Sequence, residues 1–549
     1  MPQNFLCPQR DQPLLLPVDM REWLPEDDLV FIVLDAVAAL DLGEFRRRYR
    51  ADGHGRAAFD PEMMVALLLY GYCQGERSSR VIENRSVRDV GYRVITGGLH
   101  PDHATIARFR VRHQTALGGL FSQVLRLLAA EGMVSLGVLS LDGTKLAGNA
   151  AQKANKTLPQ IEKVLAEAAA ADAADDAVEG GKPQPATPRA LARRAERRER
   201  LARARDRLAA EDQARRDAQR AKQEAWDAAA AAGKRRSGRR PGDEPRANRA
   251  GTEPRANTTD PDVRVMRNQK GYVAGYNGQA VVTADQVIVG AMLSQHPVDR
   301  TLLHPLLDTC RQQLTRAGIR PKLRTILADS GYASEDNFAR ADQDKLRLLA
   351  PLAKDPGRPG GRPAKRTRHL DQYPATARAI RRLRHPRGRK DYKLRARTVE
   401  PVFGQLKTCQ RLPVMSRRGL AACESEWLLA CTAHNVRKLH RHRLQGLTIQ
   451  GLPPSSQDLR SPKNQATHPV HSKILNLSLD GVLSDRLVYV VGVGYALGLQ
   501  HLGCLLAGRE PDHPRARVCR LPGPGDRRDR ARLPGPGRAD HRLGAPVAG

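Results

Sequence analysis

The sequence predicts an α+β chain: an all-helical N-terminal part is followed by a mixed sheet that carries a long, charged helical insertion. Three observations predict it. Helix-start signals recur through residues 20–135, short apolar runs bounded by turn residues begin at 138, and between 150 and 259 the apolar pattern gives way to Ala and charge.

The helical part comes first. Asp60-Pro61-Glu62 is a helix start, with Asp as N-cap and Pro at the first helical position, and the apolar run Met63 to Tyr70 follows it. Ser78 or Ser79 caps a second helix carrying Arg80 and Arg85. Arg88 to Ile95 makes a third, stopped by Gly97-Gly98. Asp102 opens a further helix, in which Ile106, Phe109 and His113 share one face while Thr105, Arg108 and Arg112 lie on the next. A stack of short helices whose last member bears arginines resembles a helix-turn-helix, with that helix in a major groove. A plain bundle with solvated arginines gives the same pattern.

From 138 the period changes. Val138 to Leu141 reads as a short strand ending in Asp142-Gly143-Thr144. The charged stretch 150–259 interrupts the pattern; within it Arg189 to Lys222 has Ala as its main apolar residue and is expected to be a solvated single helix. Strands resume at Gly271. Tyr272 to Tyr276, Gln279 to Ala284 and Val287 to Leu293 fit a meander broken at Asn277-Gly278 and at Asp285-Gln286. A helix is expected at about 301–316, then a strand Leu323 to Ala328 ending in Asp329-Ser330-Gly331-Tyr332, and a last strand at Leu346 to Leu352.

Charge narrows the partners. The chain has 92 Lys and Arg against 59 Asp and Glu, a formal +33, which suits a polyanion and predicts fast, salt-sensitive association. The N-terminus has no basic region leading into an apolar one, so a cytoplasmic protein is expected. The eight cysteines contain no C-x-x-C pair, and the spacing of Cys423, Cys431, His434 and His440 matches no common finger, so no zinc site is expected.

Three acids stand out jointly. Asp142 and Asp329 each end an apolar strand beside Gly or Ser, where a sheet rim admits a metal and a bulky substrate. Glu400 lies in the first turn of a helix that Thr398 caps, with Pro401 beside it, and Gly404 and Lys407 follow on the same face. Singly, each is an ordinary turn or helix-start acid. Together, three converging carboxylates can hold two magnesium ions, which activate the attacking oxygen and stabilise the leaving one in an in-line phosphoryl displacement.

The segments Leu141-Asp142-Gly143-Thr144-Lys145, Asp260-Pro261-Asp262-Val263-Arg264, Gly275-Tyr276-Asn277-Gly278-Gln279, Ala328-Asp329-Ser330-Gly331-Tyr332 and Val399-Glu400-Pro401-Val402-Phe403-Gly404-Gln405-Leu406-Lys407 resemble those of DDE transposases of bacterial insertion sequences. Within these the chain is similar to the group with a Tyr, Arg, Glu, Lys signature around the last acid. Pro101 to Ile106 and Arg108-Phe109-Arg110 resemble that group's N-terminal helical domain.

The resemblance implies an RNase H-like catalytic domain over 136–149 and 260–445, and a helical domain over 20–135 that binds DNA ends. Residues 150–259 are then an insertion. It implies Asp142, Asp329 and Glu400 as catalytic and metal-binding residues, Mg2+ or Mn2+ as two ions, and Tyr392, Arg395 and Lys407 on DNA. Four residues rather than three separate Arg395 from Glu400, so Arg397 stands as the alternative arginine. Partners would be double-stranded DNA, as terminal inverted repeats and target, and further copies of the chain. A nuclease that cuts without joining, and a DNA-binding relative without catalysis, are the rival readings.

Residues 450–549 fall outside the likeness. No lysine follows Lys473, and Leu-Pro-Gly-Pro-Gly occurs at 521 and again at 533. Val488 to Ala507 is apolar, but Gln500, His501 and its glycines argue against a membrane span, so a non-family extension is expected.

Overall fold

The computed structural model describes residues 5–6 and 19–450, apart from 53, 177–187, 234–239, 244–253, 269–270 and 353–369. Beyond Gln450 the expected extension, with Val488 to Ala507, lies outside the described residues.

Helices α1 (Leu29–Ala38), α2 (Pro61–Cys73), α3 (Ser79–Arg88), α4 (Val90–Thr96), α5 (His103–Arg112) and α6 (Gln114–Ala130) form the N-terminal part. The sequence signals act as expected. Asp60 accepts from Glu62 N at 3.1 Å and Asp102 from Thr105 N at 2.8 Å, and Gly97 ends α4 in the left-handed region. Helix α2 is buried on every side from Met63 to Cys73, so it is a central helix rather than a surface one.

Strand β1 (Val138–Ala147) starts the sheet, and β2 (Arg264–Asn268), β3 (Gly271–Val282), β4 (Ile288–Ser294), β5 (Thr325–Leu327) and β6 (Arg347–Leu349) complete it. The order is β6-β5-β1-β3-β2, with β4 also paired to β3. Strands β6, β5 and β1 are mutually parallel, whereas β3 is antiparallel to β1, β2 and β4. The mixed sheet is as expected, but two details differ. Strand β1 does not stop at Leu141: its β3 pairing continues to Ala147↔Gly275, while β5 leaves its other edge after Ser140↔Leu327. And Asn277-Gly278 is not a turn. A Cβ on Gly275 would lie 1.9 Å from the Leu146 carbonyl oxygen, and one on Gly278 would lie 3.0 Å from Leu146 Cδ1, so these glycines let strands pack closely.

Helix α9 (Leu303–Arg316) covers one part of the sheet, and α10 (Glu335–Gln343), α11 (Pro374–Arg384) and α12 (Pro386–Tyr392) lead to α13 (Leu394–Thr408) and α14 (Leu420–Gln450). Trp427 of α14 is fully buried; its indole donates to Gln279 O at 3.3 Å and stacks on Phe403. One continuous apolar cluster runs from Met20 through α2 and the sheet to Leu439, so the helical part and the sheet share a core. Among the described residues no helix is long and apolar enough to cross a membrane.

The insertion departs from the expected single solvated helix. Helices α7 (Leu158–Asp176) and α8 (Pro188–Ala231) pack together around Ile161, Leu201, Ala204, Leu208 and Ala256, a small core of their own. Arg207 docks the pair, donating to the carbonyls of Arg255 at 3.0 Å, Pro261 and Val263. The Asp260-Pro261-Asp262 segment that it grips is itself a clamp. Asp260 accepts from the Tyr276 hydroxyl at 2.7 Å, and Asp262 accepts from Leu420 N at 2.9 Å, which caps α14.

Candidate active site

Parallel pairing sets the first two acids. Ser140 pairs with Leu327, and two residues further along come Asp142, still on β1, and Asp329, just past the end of β5. Asp142 keeps β3 on one side only, and its other side opens where β5 has ended. Asp329 caps the turn Ser330–Tyr332 by accepting from Gly331 N at 2.9 Å.

The third acid arrives on α13, which starts at Leu394 rather than at Thr398. Glu400 and Pro401 therefore lie inside the helix. Pro401 has no N–H to give to the Arg397 carbonyl, and Gln286 Nε2 supplies that bond at 3.0 Å. Gln286 adopts φ 65° in the Asp285-Gln286 turn, its own carbonyl accepts from His434 Nε2 at 2.9 Å, and its side-chain oxygen accepts from Lys438 at 2.7 Å. One turn residue thus ties α13 to α14. Thr398, buried, places its hydroxyl 2.6 Å from Ser140 Oγ, which fixes α13 against β1 two residues from Asp142.

Arg395 joins two of the acids. Its guanidinium donates to Asp142 Oδ2 at 2.6 Å and to Glu400 Oε1 at 3.1 Å, while its buried Nε has no partner. Arg397 is exposed on the helix, so it is Arg395 that the fold brings to the acids. Tyr392 closes α12, half-buried. Lys407 follows Glu400 on the same face with Gly404 open between them; partial burial lowers its pKa and the charge of Asp142 opposes that shift. Asp142 is raised to about 6: burial dominates, Arg395 opposes it, and Asp329 and Asp299 add to it.

Asp299 had no sequence signal. It enters from a short turn after β4, where its Oδ1 accepts from Lys145 Nζ at 2.9 Å, Asn277 Nδ2 at 2.6 Å and Gln279 Nε2 at 3.0 Å. Gln279 in turn accepts from the buried Tyr332 hydroxyl, whose pKa burial and the surrounding acids push well up, keeping it a donor. Gly143 makes room for this network, since a Cβ there would lie 2.1 Å from Gln279 Nε2 and 2.9 Å from Asp299 Oδ1. The Gly275 to Gln279 motif was visible; its service to the acidic end of β1 was not.

The donor set suits a hard divalent cation: oxygen ligands on converging elements, with one carboxyl already disfavoured as an anion by burial and neighbouring acids. As positioned, no group of three or more His, Cys, Asp or Glu among the described residues is close enough to hold a metal. The Arg395 guanidinium, standing between Asp142 and Glu400, holds the positive charge there, and a cation between those two acids requires it to move.

Residues 18–112 match the family model described as Transposase domain (DUF772), and residues 251–436 match the one described as Transposase DDE domain. The chain belongs with the DDE transposases. No curated protein and no solved structure matches it. DDE transposase domains generally use divalent metal ions, and DNA is the partner these families imply. The first match covers α1 to α5, and the second spans Asp329, Glu400 and the residues around Asp299. Asp142 lies in neither matched range, yet the register of β1 sets it beside the second. In the transposase Arg108 and Arg112 are exposed on α5, beside a hollow of about 340 Å³; Arg108 donates to Thr105 Oγ1 at 3.0 Å and Arg112 lies over the Tyr49 ring. The four residues weighed as a zinc set have other partners: Cys423 the Arg417 carbonyl, His434 that of Gln286 and His440 that of Asp27, while Cys431 is buried.

Proposed function

We propose that this chain binds the ends of an insertion sequence, cuts the phosphodiester there, and joins the freed 3′-hydroxyl to target DNA. One observation carries the reading: Asp142 on β1 and Asp329 just past the end of β5 both follow the last parallel pair of those strands by two residues, and Glu400 is tied to Asp142 through Arg395. Asp142, Asp329 and Glu400 would hold Mg2+ or Mn2+, two ions in the usual arrangement, which supply an activated attacking oxygen and a stabilised leaving one. The chain's own groups do the rest. Arg395, released from the carboxylates, presents a planar donor fork to a non-bridging phosphate oxygen, and Lys407 adds a point charge on the same face. Tyr392 and the exposed Arg397 border that path, and Arg108 and Arg112 meet the backbone further along the duplex. Handling two ends together calls for a multimer.

The test uses purified chain, labelled duplexes ending in the inverted repeats that flank the gene, and Mg2+. Nicking at the repeat end followed by joining to a second duplex is expected. Nicking without joined products would favour a nuclease, and repeat binding without nicking would favour a non-catalytic relative; either outcome overturns the proposal.

A further inference from the structure

A groove of about 870 Å³ lies between α3, α5 and the segment that links α13 to α14, away from the acids. Arg77, Arg80, Arg110, Arg411, Arg417 and Arg418 line it, and among the described residues Glu76 is the only acid that does. The arginines are built in. Arg77 pairs with the fully buried Glu426 at 2.7 Å, and Glu426 also accepts from Ser416 N, Ser416 Oγ and Arg417 N, which fixes the linking segment. Arg110, on the floor, donates to the Tyr72 hydroxyl at 2.6 Å and the Arg77 carbonyl at 2.8 Å. On the rim Arg411 pairs with Glu76 at 3.3 Å, which leaves two further cations there without an acid. Arg80 is exposed with no acid within ion-pairing distance among the described residues, and Arg418 donates only to the Asn149 carbonyl. No side chain caps the start of α3, where Ser78 and Ser79 face the same space.

We propose that this groove is a second nucleic-acid site, which holds the phosphate backbone of double-stranded DNA apart from the point of cutting. This deepens the transposase reading and rests on it. Buried Glu426 is taken by Arg77, so the other arginines leave the groove with an excess of positive charge, and phosphate matches the guanidinium fork. The duplex is favoured over single strands because, among the described residues, no Phe, Tyr or Trp lines the groove and its one ring, His103, is held by Glu83 at 2.8 Å, whereas single-strand sites stack bases on aromatic rings. With the arginines on phosphates rather than on base edges, the contacts carry little sequence preference. The place fits too. Asn149 lies seven residues past Asp142 along β1 and its continuation, about 20 Å at strand rise. That corresponds to about six base pairs of duplex, so one DNA end can span both sites.

The experiment measures binding of the full chain to a random duplex about three helical turns long across a salt series, for the wild type, Arg80→Ala with Arg418→Ala, and Arg80→Lys with Arg418→Lys. Circular dichroism confirms the fold of each. The Ala pair should flatten the plot of log affinity against log salt by about 2, as for two lost phosphate contacts, and the Lys pair should restore most of the slope. An unchanged slope in the folded Ala pair overturns the proposal, and so does an equal loss on a single strand of the same sequence. Failure of the groove leaves cutting and joining by the wild type in place; failure of the transposase reading leaves the slope difference but no products.

Discussion

Asp142 and Asp329 each follow the last parallel pair of β1 and β5, Ser140↔Leu327, by two residues, and the charge of Asp329 reaches Asp142. Two carboxylates set side by side repel, and burial sharpens that repulsion at Asp142. Such an arrangement is useful where a cation is to be shared. Asp142→Asn, Asp329→Asn and Glu400→Gln should each leave duplex binding near wild type while cleavage falls on the order of 10³-fold, the loss of several kcal/mol of transition-state stabilisation. Cleavage within tenfold of wild type for any one variant removes that residue from the site.

Gly143 separates stability from activity. The Cβ of Gly143→Ala would strike the amide end of Gln279, a side chain that can turn away, so the fold should survive with a loss of about 1 kcal/mol. The bonds from Gln279 to Asp299 and Tyr332 would not survive. Cleavage should fall far more than the melting temperature does. Gly275→Ala meets the Leu146 carbonyl, which cannot turn away, and should cost several kcal/mol or prevent folding. Equal melting points for the two variants would contradict this reading.

Local signals in the sequence were legible because they are satisfied locally. Asp60 and Asp102 cap their helices with bonds that reach two or three residues, and no distant contact overrides them. The mixed sheet followed from the order of apolar runs, although Asp142 lies within β1 rather than at its end because β3 holds the strand on to Ala147. What misled was residue type used for distant packing. Asn277-Gly278 looks like a turn, but Gly278 is small to admit Leu146 and Trp427, and Asn277 serves Asp299. Pro401 looks like a first-turn residue, yet it sits mid-helix because Gln286, 115 positions earlier in the chain, takes over the carbonyl that Pro401 orphans. Asp299 was not legible at all: its partners come from β1 and β3, and only the folded sheet gathers them.

The shared core changes how the N-terminal helices should be tested. Residues 1–135 alone would expose α2, whose Cys73 and neighbours pack against Ala433 and the rest of α14, so DNA binding is better read in the full chain. There, Arg108→Ala with Arg112→Ala should weaken binding to repeat-bearing duplex by about 1–3 kcal/mol if either reaches a base edge. It should weaken repeat and random duplex alike if both meet phosphates only. No change on either duplex would take α5 out of the interface.

Acid should loosen this fold through buried histidines, His113 and His434 most strongly and His304 in the same direction. Burial depresses the pKa of His113, packed among Phe45, Tyr49 and Phe109, and that of His434, against the Gln286 carbonyl, to about 4 each from an ordinary 6.5. A histidine depressed in the folded state contributes stability that is present above pH 6.5 and is lost as pH falls through the folded value near 4. Asp142 works in the opposite sense. Raised to about 6, it adds stability below its unfolded value near 3.8 that is lost as pH rises through 6, so part of the acid loss is masked. The two contributions separate by substitution. With a chelator present, His434→Gln keeps a donor toward Gln286 and cannot charge, so its melting temperature should fall less than that of the wild type between pH 7 and pH 4.5. Asp142→Asn, lacking the compensating carboxyl, should fall more. Parallel curves for all three proteins would show that neither group titrates as its surroundings dictate, and would leave acid unfolding to the exposed ion pairs instead.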